Sequence, residues 1–145
     1  MDLGIEGKRV LITGASQGIG KAIALEFAKE NCRVTIVARK KKALEEVVKE
    51  MGGEEKGHDY YVANLMDSGN PTGVAKDLLA RNTRYDIVVH NIGGTLDVRD
   101  IFSSVEDGGK VWMYNTGIPI EMNRVLIPPM KKQINSMIKL KYAPA

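Results

Sequence analysis

A glycine-rich stretch, Thr13-Gly14-Ala15-Ser16-Gln17-Gly18-Ile19-Gly20, contains the residue types that point most directly to chemistry. It follows an apolar run at residues 9–12 and precedes a helical pattern that begins near Lys21. The first N–H groups of a helix lack intrahelical partners and carry partial positive charge, so a pyrophosphate can bind there if no side chain blocks its approach. Glycines leave that approach open, and the stretch therefore predicts a phosphate site.

The same glycines have two competing interpretations. Glycine also marks ordinary strand-to-helix turns, so the pattern alone is weak evidence. The nucleoside-triphosphate loop G-x-x-x-x-G-K-[ST] would need glycine at position 15 and a hydroxyl residue at position 22 if Gly20-Lys21 were its Gly-Lys pair. The chain has Ala15 and Ala22 there, so no hydroxyl is available for Mg²⁺ and hydrolysis of ATP or GTP is disfavoured.

Composition restricts the classes of protein that these 145 residues can form. Hydrophobic residues make up 43% and charged residues 27%, which is typical of one soluble globular domain. No apolar run has the length of a membrane span or follows the pattern of a signal peptide, so we expect a cytoplasmic protein with no membrane partner. Cys32 is the single cysteine and the two histidines are far apart, so no metal site is expected.

The positive charge of the chain does not predict a nucleic-acid partner. The formal net charge is only +3, and the one basic run is Arg39-Lys40-Lys41-Lys42. An aromatic platform and a longer basic stripe, which single-stranded nucleic acid would need, are both missing from the pattern. Lys41 and Lys42 fit the solvated start of a helix.

Predicted strands and helices alternate along the first 90 residues. Strands are predicted at 9–13, 33–38, 60–63 and 85–90, and helices at 18–31, 40–51 and 71–81. Short connections and the right-handed crossover rule then give an α/β fold, with a Rossmann-type parallel sheet in the order 3-2-1-4 and helices on both faces. Further on, the pattern predicts a short helix at 97–105, a break at Gly108-Gly109 and a longer helix at 110–132.

Three motifs carry a family resemblance. They are Thr13-Gly14-x-x-x-Gly18-x-Gly20, His90-Asn91-Ile92-Gly93 at the end of the fourth strand, and Asn115 in the long helix. In this order and spacing they resemble the short-chain dehydrogenase/reductase family over about residues 5–132. The resemblance implies hydride transfer between a nicotinamide dinucleotide and a carbonyl or secondary alcohol, with residues 1–132 as the NADP(H)-binding domain.

The resemblance and the positions of the strand ends give the predicted site. The cofactor-binding candidates are Gly14, Ser16, Gln17, Gly18, Ile19, Gly20, Arg39, Asn64, Leu65, Asn91 and Gly93. Asn115 is the catalytic candidate, because it matches the asparagine that in the family helps to hold a proton-relay water. Asn64 stands where the family has an aspartate that accepts a hydrogen bond from adenine, although it could equally form a turn.

Arg39 determines the predicted choice of cofactor. A dinucleotide without a 2′-phosphate is usually held by an acid at the end of the second strand, and this chain has Ala38-Arg39-Lys40 there. Arg39 can offer a bidentate, charge-assisted grip on a 2′-phosphate, so we expect NADP(H) to be preferred over NAD(H). The alternative is that Arg39 belongs to the solvated helix start.

The acid/base residues of the family have no counterpart here. The family uses a serine and a Tyr-x-x-x-Lys pair beyond the long helix, and the sequence contains no Tyr-x-x-x-Lys. We therefore predict a cofactor-binding part, truncated before the catalytic residues and with an incomplete sheet. A catalytically inactive dinucleotide-binding or dimerising module is the alternative. Residues 133–145 form a divergent tail, either a replacement edge strand or a divergence of frame or transcript.

The long helix and His90 carry two more predictions. We expect an apolar face of this helix to lack a partner and to drive self-association, or pairing with a complementary chain. That face comprises Val111, Ile118, Met122, Val125 and Leu126. His90 replaces a family asparagine, and we predict a hydrogen-bonded structural role for it.

Overall fold

The computed structural model describes residues 2–67, 70–82, 84–100 and 102–132, and the backbone of 137–140. Five parallel strands form one sheet in these residues: β1 (Arg9–Thr13), β2 (Arg33–Ala38), β3 (Asp59–Val62), β4 (Ile87–His90) and β5 (Met137–Leu140). Their order is β3-β2-β1-β4-β5. The predicted order of the first four strands is confirmed, and β5 pairs beside β4 at one edge.

The helices connect successive strands and cover both faces of the sheet. They are α1 (Gly18–Lys29), α2 (Lys41–Met51) and α3 (Asn70–Asn82), with a 3₁₀ turn at Glu54–Lys56. After β4 come α4 (Val105–Trp112), a π-helical segment (Met113–Gly117) and α5 (Ile118–Met130). The predicted elements up to β4 agree with these bounds to within about two residues.

The central strand β1 is buried on both faces, which explains why its sequence is an unbroken apolar run. Val10 and Ile12 pack into a core cluster with residues of α1 and α2. Leu11 points to the opposite face and packs into a second cluster with residues of α3 and α5. The sheet therefore separates two cores and fixes the strand ends at which the site forms.

The region between β4 and α4 differs from the prediction. Described residues of 97–104 are not helical, so the predicted short helix at 97–105 is wrong. The helix begins at Val105 because the Ser104 hydroxyl caps it, accepting a hydrogen bond from the Asp107 N–H at 3.1 Å. Gly108-Gly109 lies inside α4, so the predicted break is wrong as well. The cap and the Lys110–Glu106 ion pair at 3.0 Å offset part of the roughly 1 kcal/mol that each helical glycine costs.

The apolar face predicted to seek a partner is largely covered by the chain itself. Ile118, Met122 and Leu126 are almost completely buried in the core cluster between α3, α5 and the sheet. Val125 packs against the same cluster, and Val111 is half-buried. The prediction that this face lies open was wrong because α5 packs back on the sheet and on α3. The large apolar side chains exposed near this helix are others: Phe102, Val105, Trp112 and Ile120.

Cys32 lies in a position that lowers the reactivity of its thiol. Cys32 is buried, and its thiol donates to the Ile5 carbonyl at 3.2 Å. Burial raises the pKa of this thiol to about 11, which makes it a poor nucleophile.

Among the described helices, none combines the length and the apolar character needed to cross a membrane.

Candidate functional site

A cavity of about 570 Å³ lies at the carboxyl ends of β1, β2, β3 and β4. This is the edge of a parallel α/β sheet at which ligands generally bind. The residues lining it are Gly14, Ser16, Gln17, Gly18, Ile19, Ala38, Arg39, Lys40, Ala63, Asn64, Leu65, Met66, Asn91, Ile92, Gly93, Leu96 and Tyr114. No lining residue is an acid, and the two charged ones are cations.

The turn between β1 and α1 forms the floor of the cavity. Gly14 and Gly18 both have left-handed backbones, with φ of +68° and +56°, which other residues adopt only with strain. A Cβ on Gly14 would also lie 3.1 Å from the Ile92 side chain. Gln17 precedes α1 in an extended conformation, and no side chain caps this helix end and no acid lies in its first turn. The positive end of α1 thus faces the cavity without a neutralising group from the described residues.

Asn91 fastens this turn to the end of β4. Its side-chain Nδ2 donates to the Gly14 carbonyl at 3.0 Å, and its backbone N–H donates to the Thr13 hydroxyl at 3.1 Å. Gly20 lies directly beneath this contact, and a Cβ there would overlap the Gly14 carbonyl oxygen and approach Asn91 Nδ2 to 2.5 Å. Gly20 therefore supports the turn from behind the cavity wall rather than lining it.

Arg39 and Lys40 stand at the end of β2, where both are exposed and both line the cavity. Within the described part of the chain neither forms an ion pair, whereas Lys41 pairs with Glu45 at 3.6 Å on the helix surface. The two residues closest to β2 are thus available to an anion. Lys41 matches its predicted role as part of a solvated helix start.

Asn64 lines the cavity but uses its side chain locally. Its Oδ1 accepts from the Met66 N–H at 3.2 Å, and its Nδ2 donates to Asp67 at 3.2 Å. These are the contacts of the turn-forming alternative. Leu65, next to it, is buried and packs into the core as well as lining the cavity.

Asn115 lies in the π-helical segment and binds the backbone at Gly94. Its Oδ1 accepts from the Gly94 N–H at 3.0 Å, while its Nδ2 donates to the Gly94 carbonyl at 2.7 Å and to the Val111 carbonyl at 2.8 Å. Asn115 does not line the cavity. Its side chain instead fixes the loop that follows Gly93, so the observed contact is a positioning one.

The structure therefore brings together ten of the eleven predicted cofactor residues, all except Gly20. Sequence reasoning missed seven lining residues: Ala38, Lys40, Ala63, Met66, Ile92, Leu96 and Tyr114. Most of these immediately adjoin a strand end or a predicted residue, and that position could have identified them. Leu96 and Tyr114 carry no comparable signal, because a loop and the π-helical segment bring them to the cavity.

His90 has the surroundings of a structural residue. It is almost completely buried, its Nε2 lies 2.8 Å from Asn123 Oδ1, and it does not line the cavity. His58 is also buried, and its Nδ1 accepts from the Val34 N–H at 3.2 Å. Burial lowers the pKa of both imidazoles, so both rings are neutral in the folded chain at pH 7. No metal-ligand cluster is found among the described residues.

These histidines predict a loss of stability in mild acid. A histidine whose pKa is lowered by folding stabilises the folded state above its unfolded pKa of about 6.5, and this contribution is lost as pH falls toward the folded pKa. Two such groups should make the free energy of unfolding smaller at pH 5.5 than at pH 7.5. Urea unfolding of the untagged chain at both pH values measures this difference. His90→Asn should remove the part of this difference that His90 contributes, and an unchanged difference in that variant would contradict the assignment.

Fold and site together define a class of protein: a parallel α/β domain with a glycine turn at a helix N-terminus and a long cavity across the strand ends. The family model for short chain dehydrogenases matches residues 8–138. The chain belongs to this family, whose members bind a nicotinamide dinucleotide.

Individual relatives agree with this assignment. The chain is 35% identical over 134 residues to 3-oxoacyl-[acyl-carrier-protein] reductase FabG of Thermotoga maritima, covering 92% of this chain and 54% of the relative. It is 39% identical over 95 residues to hydroxysteroid 11-beta-dehydrogenase 1-like protein A of Xenopus laevis, covering 63% of this chain and 32% of the relative. The chain thus spans about half or less of the length of these relatives.

A solved structure shows the same architecture. L-sorbose reductase from Gluconobacter frateurii, complexed with NADPH and L-sorbose, superposes with a TM-score of 0.80 and is 29% identical. The match covers 91% of this chain and 51% of that one. The Rossmann-type fold predicted from the strand and helix pattern is therefore confirmed.

Proposed function

We propose that this cavity binds NADP(H) in preference to NAD(H). The observation that carries the proposal is the pair Arg39 and Lys40, which line the cavity unpaired within the described residues while no acid lines it. A 2′-phosphate needs cations and is repelled by carboxylates, whereas a free 2′-hydroxyl is usually recognised by a carboxylate. The solved structures of L-sorbose reductase and of a short chain dehydrogenase from Escherichia coli CFT073 are both complexes with NADPH, which is compatible with this choice.

The lining residues fit the parts of such a dinucleotide in order. The amides at the start of α1 suit the pyrophosphate, and Gly14 and Gly18 keep side chains away from it. Arg39 suits the 2′-phosphate, Asn64 and Leu65 the adenine, and Asn91 and Gly93 the second ribose. A dinucleotide bound here would supply or accept the hydride, and Asn115 would act indirectly by holding the Gly94 backbone.

The activity that we propose for the protein is that of an NADP(H)-dependent oxidoreductase of the short-chain type, acting on a carbonyl or secondary alcohol. The 145 residues supply the cofactor-binding part of this activity, and they contain no Tyr-x-x-x-Lys. We therefore limit the proposal for this chain by itself to cofactor binding. A cytoplasmic location is part of the same proposal.

A fluorescence titration of the purified chain with NADPH and, in parallel, NADH tests the proposal. Trp112 is the only tryptophan, and together with the reduced nicotinamide it provides the signal. We expect saturable binding of NADPH at one site, at least tenfold tighter than that of NADH. Tighter binding of NADH, or no saturable binding of either, would contradict the proposal.

The second candidate function is a catalytically inactive dinucleotide-binding or dimerising module. One observation favours it: large apolar side chains are exposed at both ends of α4 and near the start of α5. They are Phe102, Val105, Trp112 and Ile120, with Phe102 at 86% and Val105 at 94% exposure. Self-association of the chain would cover them. Sedimentation of the titrated sample at micromolar concentration tests this second candidate, and a clean monomer would count against it.

A further inference from the structure

A second, smaller pocket lies at the opposite edge of the sheet, where the strands begin. Its volume is about 140 Å³, and its lining residues are Arg9, Arg33, Thr35, Gly57, Asn82 and Tyr85. Arg9 and Arg33 are the first residues of β1 and β2, while Gly57 and Tyr85 each precede a strand by two residues. The five residues of β1 separate this amino-edge pocket from the carboxyl edge by roughly 13 Å. None of its lining residues lines the larger cavity.

Two arginines stand side by side in the amino-edge pocket. Arg9 and Arg33 are register partners on neighbouring parallel strands, so their Cα atoms lie about 4.8 Å apart and their side chains leave the same face of the sheet. Neither guanidinium forms an ion pair with a described residue. Asp59 and Asp86 lie at the same edge, but neither lines the pocket. Two like charges in so small a space repel each other, and an anion between them would be attracted by both.

Both arginine side chains are held in place by the chain itself. The Arg9 guanidinium donates to the Asn82 carbonyl at 2.6 Å, which uses one of its five N–H groups. The Arg33 stem packs over Gly57, since its Cγ and Cδ lie 3.2 Å from where a Cβ on Gly57 would stand. No hydrogen bond within the described part of the chain uses the Arg33 guanidinium. Most of the donors of the pair therefore remain available, and binding requires little ordering of side chains.

The inner wall of the pocket is polar and already hydrogen-bonded. Thr35 and Tyr85 are almost completely buried. The Tyr85 hydroxyl accepts from Asn82 Nδ2 at 2.8 Å and donates to the Thr35 hydroxyl at 3.4 Å. The Thr35 hydroxyl in turn donates to the Asp59 carboxylate. Because these hydroxyl protons are directed toward Asp59, the donors left for a ligand are those of the two guanidinium groups.

We propose that the amino-edge pocket binds a phosphate group between Arg9 and Arg33. Guanidinium groups bind phosphate oxygens through paired, charge-assisted hydrogen bonds. A phosphate group carries close to two negative charges at pH 7, which matches the two cations, whereas a carboxylate carries one. The volume is that of roughly four or five water molecules, enough for the five heavy atoms of one phosphate and too small for a nucleotide. The proposal does not depend on dinucleotide binding, because that site lies at the other edge of the sheet.

Amide NMR of the isotope-labelled chain tests the proposal with inorganic phosphate and, separately, glycerol phosphate at constant ionic strength. We expect saturable shifts of the Thr35, Gly57 and Tyr85 amide resonances. The probe that binds more tightly distinguishes free phosphate from the phosphate group of a larger molecule as the natural ligand. Acetate, which carries one charge, should produce no saturable shift of these resonances. Arg33→Gln should weaken phosphate binding at least tenfold, and its exposed position means that folding is retained.

Arg84→Gln is the matched control, because Arg84 is an exposed arginine at the same edge that does not line the pocket. It changes the net charge equally and should leave phosphate binding nearly unchanged. An equal loss in both variants, or acetate binding as tight as phosphate binding, would overturn the proposal. The absence of saturable shifts, or shifts confined to the glycine turn at Gly14, would overturn it as well. Arg33→Gln should leave the NADPH titration unchanged, so the proposed function stands or fails separately.

Discussion

Gly20→Ala should destabilise the folded chain by about 2 to 4 kcal/mol, although alanine normally stabilises a helix by about 1 kcal/mol relative to glycine. The reason is the space around this residue in the first turn of α1. An added Cβ would overlap the Gly14 carbonyl oxygen and lie 2.5 Å from Asn91 Nδ2. The obstacle is backbone, so relief requires the turn to move and the bond between Asn91 and Gly14 to break. Urea unfolding measures the change in stability.

Gly73→Ala provides the matched control within the same protein. Gly73 lies in α3, is exposed, and has open space where its Cβ would stand. The Gly73→Ala substitution should raise the free energy of unfolding by up to about 1 kcal/mol. The two substitutions are chemically identical and should have opposite signs. A Gly20→Ala chain as stable as the wild type would show that the turn does not pack as described.

Arg39→Ala should lower the affinity for NADPH by about ten- to a hundredfold and leave the affinity for NADH nearly unchanged. A charge-assisted hydrogen bond contributes roughly 1.5 to 3 kcal/mol, and Arg39 is proposed to make such bonds only with the 2′-phosphate. Its side chain is exposed and forms no ion pair with described residues, so removing it should cost little stability. Parallel titrations of the variant with both dinucleotides measure the change.

Lys41→Ala serves as the control for charge. Lys41 belongs to the same basic run, but it begins α2, pairs with Glu45 and does not line the cavity. Its removal changes the net charge equally, so long-range attraction of the ligand falls by the same amount. If both variants lose NADPH affinity equally, the effect is general electrostatics and the role given to Arg39 is wrong.

Higher salt should also weaken NADPH binding more than NADH binding.

The elements up to β4 could be predicted because local signals there agree with one another. The apolar run of β1 is long enough for a strand buried on both faces. Asn31, a residue type that tolerates a left-handed backbone, follows α1 with φ of +56°. The positions of Gly14 and Arg39 at the cavity follow from the same logic, because strand ends in a parallel sheet meet at one edge. Local pattern and tertiary position coincide in this part of the chain.

The region after β4 could not be predicted in the same way. Gly108-Gly109 disfavours a helix by propensity, and the Ser104 cap and the ion pair between Lys110 and Glu106 support α4 across it. The burial of Met122 depends on α5 packing against α3, a contact between distant parts of the sequence that no local pattern specifies. Tyr114 reaches the cavity through a π-helical segment, which sequence periodicity does not reveal.

The bonds that Asn91 makes with Thr13 and Gly14 also have a consequence for the kinetics and entropy of binding. They tie the phosphate turn to the end of β4 without the help of a ligand. An anion that enters the turn therefore need not order a flexible loop, and the free energy of association is not reduced by that ordering. We expect binding there to proceed close to rigid-body docking, with an association rate set mainly by diffusion and by the attraction of the two nearby cations.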